Sequence, residues 1–351
     1  MKNILLTSLL LVSLSSLHAE EVTKEETPKS TILSVLMNNV NLSGYGQMGY
    51  TYNSHDDKDN YKSSNTFDIK RIIFVANGQI TKKLNMYLML DLASGKLHEY
   101  WGEYKFCDAF KLRAGQFKTP FTLESPMSPA VLEIIDGSQG VQYLAGINGS
   151  DICYGGKAGR DIGLMASGEL INFDNRKLLT YKVGIFNGQG INTKDKNNHK
   201  DFVGSLMVNP FQWISLGGSA YIGKGYAEKN NLFGAFNAGD NYLRNRWSLG
   251  TEIHTKPIYL RAEYLNGKDA HVRTTGGYVT ANIHILPKFD FIASYDYLDK
   301  NKEMNIKQTN YVLGAQWNFY RRCRLQAQYV FQDRNYEHNS HLVVTQFQLG
   351  F

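Results

Sequence analysis

Val40-Asn41-Leu42-Ser43-Gly44-Tyr45-Gly46-Gln47-Met48-Gly49-Tyr50-Thr51-Tyr52-Asn53 sets the period of the chain to two. Val40, Leu42, Gly44, Gly46, Met48, Tyr50 and Tyr52 fall on one face of a strand, and Asn41, Ser43, Tyr45, Gln47, Gly49, Thr51 and Asn53 on the other, because successive strand side chains point to opposite sides. One face is built for apolar contact and the other, almost wholly polar, for water. The pattern returns at Leu84, Met86, Leu88, Leu90 and Leu92, at Ile214, Leu216, Gly218, Ala220 and Ile222, and at Tyr311, Leu313, Ala315, Trp317 and Phe319. About sixteen such segments are counted, an even number of the kind used by single-chain outer-membrane barrels.

Composition points the same way. Among 351 residues there are 22 Tyr, 18 Phe and 32 Gly but only 7 Pro, which suits pleated surfaces joined by tight turns. Beyond the extreme N-terminus no run approaches the roughly 18 apolar residues of a spanning helix, a test that strands with a lipid face on every second residue escape. The formal net charge of +6 is too mild to argue for nucleic-acid binding.

The links between segments separate a membrane barrel from a soluble sandwich. Short links at Thr81-Lys82-Lys83, Cys107-Asp108-Ala109, Asn209 to Gln212, Thr255-Lys256-Pro257, Leu286-Pro287-Lys288 and Tyr320-Arg321-Arg322 alternate with links that are mostly longer and polar. The longer ones include Ser54 to Asn65, Gly188 to Lys200, Gly223 to Leu243 and Asp299 to Asn305. Short periplasmic turns at one rim and longer extracellular loops at the other produce that alternation. Aromatics at segment ends, such as Tyr50, Tyr295, Trp317 and Phe319, suit interfacial girdles.

At the N-terminus, Lys2, the apolar run Ile4 to Leu14 and the small residues up to Ala19 read as a secretory signal cleaved after Ala19, so residues 1–19 are assigned to a signal peptide. Residues 20–39 are expected to form a short periplasmic tether, and residues 40–351 the all-β, antiparallel transmembrane barrel. Cys107, Cys153 and Cys323 show no metal-ligand spacing and are given no chemistry. The last segment, Leu342 to Phe351, alternates like the first, and a closing strand must pair with the first to leave no edge in lipid.

Several stretches resemble the phosphate-selective porin O and P family. The most specific is Glu103-Tyr104-Lys105-Phe106 followed by Leu112-Arg113-Ala114-Gly115-Gln116-Phe117-Lys118-Thr119-Pro120-Phe121 and Glu124. Gly159-Arg160-Asp161-Ile162-Gly163, Val183 to Gly188 and Asp201-Phe202-Val203-Gly204 are similar, and weaker likeness covers Val40 to Phe351. The resemblance implies a sixteen-stranded, trimeric outer-membrane porin with its third extracellular loop folded into the lumen. The terminal Phe351 resembles the signal that such proteins present to the assembly machinery.

Pro120 to Lys157, the longest non-alternating segment, sits where that loop belongs, and so long a loop in a compact barrel is usually functional. The expected pore-lining and constriction residues are Lys118, Glu124, Glu133 and Asp136, with Arg71, Arg113, Arg160, Arg244, Arg246 and Arg261 from the strands. Between Thr119 and Gly156 there is no Lys or Arg, whereas selecting phosphate needs converging cations. Asp136-Gly137-Ser138 lacks the Arg of the family's acid-Arg-Ser sequence, and Ser205 stands where an Arg often follows the glycine at 204. The expectation is a weakly selective passive channel for small hydrophilic solutes and ions, in which the loop carboxylates offset any anion preference. A surface barrel with a plugged lumen, used for binding or adhesion, is the other reading.

No catalytic, cofactor or metal site is expected. Gly44, Gly46 and Gly49 spell a dinucleotide fingerprint, but inside a strand with no helix to follow. His98-Glu99 has no second His at helical spacing.

Overall fold

The structure, a computed structural model, describes residues 39–56, 62–147, 158–173, 176–231 and 233–351. The expected signal peptide and all of the tether but Asn39 lie outside the described residues. Sixteen antiparallel strands close into one barrel in which each strand pairs with its neighbours in sequence and β1 pairs with β16.

The order is β1 (Val40–His55), β2 (Ser64–Gln79), β3 (Leu84–Asp91), β4 (Lys96–Cys107), β5 (Phe110–Lys118), helix α1 (Gln139–Ala145), β6 (Arg160–Phe173), β7 (Arg176–Phe186) and β8 (Asp201–Phe211). The second half is β9 (Ile214–Tyr226), β10 (Asn241–His254), β11 (Ile258–Asp269), β12 (Val272–Leu286), β13 (Phe289–Asn301), β14 (Ile306–Tyr320), β15 (Cys323–Arg334) and β16 (Ser340–Gly350). Closure pairs every strand edge, as the hydrocarbon interior demands. Beyond the last β1–β16 pair, Tyr45 with Gly350, the Phe351 N–H donates to the Gly44 carbonyl at 3.0 Å.

The faces sort by solvent. Leu249, Ile222, Leu313 and Leu349 stand exposed on the apolar face, whereas Gln326, Gln346, Arg244 and Arg261 are buried on the polar one. Aromatics gather beside the short turns, where Phe211 stacks on Trp213 at 5.7 Å and Phe289 on Trp317 at 5.8 Å. Amphipathic rings of this kind occupy membrane interfaces.

Several link boundaries shift from expectation, among them the link read as Asp299 to Asn305, since β13 runs to Asn301. β8 carries Asn209, Pro210 and Phe211, so its turn is Gln212-Trp213. β9 and β10 extend to Tyr226 and from Asn241, which shortens the link read as Gly223 to Leu243. Hydrogen bonds along a paired strand outweigh the turn propensity of a Pro or Gly near its end.

The segment between β5 and β6 holds α1, which the alternation did not announce. Ser138 is its N-cap residue and Gly146, at φ 67°, its C-cap. α1 lies against β11, β12 and β13. A Cβ at Gly276 would fall 3.4 Å from the Cα of Gly140, so two glycines bring helix and sheet backbones together. Val141, Tyr143 and Leu144 of the helix join Phe117, Phe121, Phe186 and Leu265 in the main apolar cluster.

Candidate functional site

The site is built on two contrasting walls and the segment between them. Along 119–147, backbone groups bond to side chains on the polar faces of β9 to β16 and of β1. The Thr122 and Leu123 N–H groups donate to Ser219 Oγ at 2.9 Å and Glu263 Oε1 at 2.8 Å. The Ile135 N–H donates to Gln328 Oε1 at 3.1 Å, and the Gln139 N–H to Asp296 Oδ2 at 2.7 Å. Glutamines act in the other direction: Gln326 and Gln328 donate to the Glu133 carbonyl at 3.0 and 2.6 Å, Gln348 to that of Ala130 at 3.2 Å, and Gln47 to that of Pro129 at 3.3 Å. An amide both donates and accepts, so a belt of glutamines can satisfy irregular backbone that has no ladder of its own.

Charges on this wall are committed. The Arg261 guanidinium, 0% exposed, meets Glu133 at 2.5 Å and Glu124 at 3.7 Å. Arg246 grips both oxygens of Asp269 at 2.7 and 2.8 Å and donates to the Leu144 carbonyl of α1. Arg244 lies 3.6 Å from the same aspartate and donates to the Gly188 carbonyl at 3.2 Å. Burial holds the Glu124 carboxyl above its ordinary range, opposed by Arg261 and by the Ser138 N–H that donates to it at 2.7 Å.

On the other side lies a cavity of about 400 Å³ between the segment and β1 to β7. Five cationic side chains line it, Arg71, Arg113, Lys118, Arg160 and Lys182, against three carboxylates, Glu99, Glu124 and Asp136. Arg113 pairs across strands with Glu103 at 2.7 Å, and Arg160 with Glu99 at 3.0 Å. Lys118 donates to the carbonyls of Ser125, at 2.8 Å, and Met127. Among the described residues, neither Arg71 nor Lys182 has a carboxylate within ion-pairing distance.

Thus Lys118, Glu124, Asp136, Arg71, Arg113 and Arg160 of the expected set share one cavity, while Glu133, Arg244, Arg246 and Arg261 do not line it. The loop carboxylates do not stand as three free negative charges. Glu133 is tied to Arg261, and Asp136, although 59% exposed, is met by Lys70 at 2.7 Å. Lys182 of β7 joins the cavity lining and was not among the expected constriction residues. The Gln belt was visible only as polar positions.

Apolar residues flank Arg71 in both phases, Phe67 and Ile69 before it and Ile72 and Phe74 after it. A bulge is the reason: β1 pairs Gln47 with Arg71 and Met48 with Ile69, leaving Lys70 as the extra residue. Phe67 and Ile69 before it, and Ile72 after it, all stay on the exposed apolar face. The bulge thereby lets two consecutive cations leave that face together. In the resembling motif, Gly115 adopts φ 134°, and a Cβ there would lie 2.2 Å from the Tyr100 carbonyl oxygen, so only glycine lets β5 pass Trp101.

A closed sixteen-stranded barrel with an apolar outer surface and a charged polar face defines an outer-membrane channel of bacteria. Residues 43–351 match the family model of phosphate-selective porin O and P, and the chain belongs to that family. No curated protein sequence matches it. Among solved structures, the anion-selective porin from Comamonas acidovorans is similar at a TM-score of 0.65 and 15% identity, over 89% of this chain and 99% of that one. The high-pH structure of Pseudomonas putida OprB is similar at 0.66 and 11%, over 95% and 99%. The trimer form of OmpT, an outer membrane protein of Vibrio cholerae, reaches 0.62 and 13%, over 89% and 100%.

Proposed function

We propose that this porin conducts small hydrophilic solutes passively, that residues 119–147 fold into the lumen as its constriction, and that the path prefers anions. The observation that carries the reading is the division of charge. Carboxylates of the loop are met by Arg261 and Lys70, whereas Arg71 and Lys182 reach the cavity with no carboxylate partner among the described residues. Selectivity is set at the narrowest ring, where low-dielectric walls concentrate the field of an unmatched charge. The family's name and the anion-selective relative support the same sign of preference.

The test is a reversal potential in planar bilayers under a potassium chloride gradient. The expected sign is that of chloride permeation. A potential near zero, or of the opposite sign, would sink the anion reading while leaving the channel in place.

In the same reading, residues 1–19 direct export, 20–39 form a periplasmic tether, and the mature chain associates as a homotrimer surrounded by outer-membrane lipid. Semi-native electrophoresis before and after boiling reads the trimer, and a single-chain band in every mild detergent would remove it. Phe351, 69% exposed at the closing seam, is available to the assembly machinery. Normal barrel levels after its deletion would remove that role.

A further inference from the structure

The cavity wall that carries Arg71 and Lys182 also carries aromatic side chains. Tyr87 stacks on Trp101 at 4.9 Å with ring planes 10° apart, and the Arg113 guanidinium lies over the same indole at 3.7 Å. Tyr87, Trp101 and Arg113 thus follow one another across β3, β4 and β5, and all three line the cavity with Tyr45, Met89 and Ile73. Arg113 is held by Glu103 at 2.7 Å, Arg160 by Glu99 at 3.0 Å and Lys118 by the carbonyls of Ser125 and Met127, which leaves Arg71 and Lys182 as the cations available to a solute.

A small inorganic anion gains little from such a wall. Phosphate must exchange its water for several close donors, and two separate cations beside aromatic carbon do not form that cage. An anion with a flat apolar body does better: its charge meets Arg71 or Lys182, and its ring lies against the edges of the Tyr87–Trp101–Arg113 stack, because the faces of Trp101, 7% exposed, are taken by Tyr87 and Arg113 and an edge-to-face contact still favours π surface. The cavity, about 400 Å³, is of the size that holds small organic ligands.

Resting on the anion-channel reading, we propose that this cavity is a binding subsite for aromatic carboxylates, with Trp101 and Tyr87 as the platform and Arg71 and Lys182 as the charge contacts. The subsite selects organic anions over inorganic phosphate during passage.

The test uses the full-length purified porin in planar bilayers, with chloride carrying the current and phthalate, succinate or inorganic phosphate added as blocker. Reversal potential in chloride alone is measured first, so that loss of the anion reading is seen separately from loss of the subsite. In the wild type, half-block by phthalate is expected at a concentration about five- to tenfold below that for succinate, which carries two carboxylates without the ring, and below that for phosphate. Equal half-block concentrations, or phosphate acting at the lowest, would overturn the proposal with no variant needed. The phthalate-to-succinate ratio should then collapse toward one in Trp101→Leu and in Tyr87→Leu, while Arg71→Gln weakens both blockers together. A ratio unchanged in a folded Trp101 or Tyr87 variant would also overturn it.

Discussion

The two walls of this barrel are written in the same alternating code and do opposite work. From β9 to β16, the polar face is covered by the long segment, and its charges and amides are consumed in holding it: Arg261 on Glu133, Arg246 on Asp269 and α1, glutamines on backbone carbonyls. From β2 to β7, the polar face borders the cavity, and Arg71 and Lys182 have no ion-pairing carboxylate among the described residues. A cation's role therefore follows from what covers it. Under cover, an ion pair is structural and costly to break, because the surviving partner is left buried and unpaired. Without cover, a cation contributes little to stability and is free to act on a passing solute.

The largest effect should come from the covered wall. Arg261→Ala leaves Glu133 buried without its partner, and should destabilise the seated loop by about 3–5 kcal/mol. The heat-modifiability transition should fall and single-channel conductance should rise as the segment loosens. A variant with wild-type transition and conductance would show that this wall does not hold the loop.

Arg71→Gln probes the open wall. It should reduce the anion-to-cation permeability ratio by about twofold, with stability changed by less than about 0.5 kcal/mol. Reversal potential and the heat-modifiability transition, measured on the same preparation, check both halves. A transition lowered as far as in Arg261→Ala would erase the distinction between the walls.

The smallest effect concerns pH. Because burial holds the folded Glu124 carboxyl above its free-chain value, protonation favours the seated loop. That stabilisation is complete below the free-chain value and is lost as pH climbs through the raised one. Glu124→Gln keeps the acceptor for the Ser138 N–H and removes the titration, so it should flatten the pH dependence of the heat-modifiability transition on that upper limb. A slope identical to wild type would mean that Glu124 does not report on the seating of the loop.

Much of the barrel was legible because its rule is local. Val40 to Asn53 and Leu342 to Phe351 each show an apolar and a polar face without reference to any partner, and they meet in register at the seam. The Glu103 and Arg113 of the resembling motif lie opposite one another on β4 and β5, a cross-strand pairing that a short turn makes nearly inevitable. Arg71 was less readable, since a single extra residue on β2 changes which face its neighbours share. Helix α1 was silent, being seven residues whose stability comes from packing on β11 to β13.

The sequence by itself determined the strand period, the barrel class and the family, because side-chain alternation and turn chemistry are properties of adjacent residues. Only the tertiary structure decided which charges are free. Arg261 meets Glu133 across 128 positions, and Gln328 meets Ile135 across 193. Contacts that distant depend on where a long loop comes to rest, and neither periodicity nor composition encodes that place.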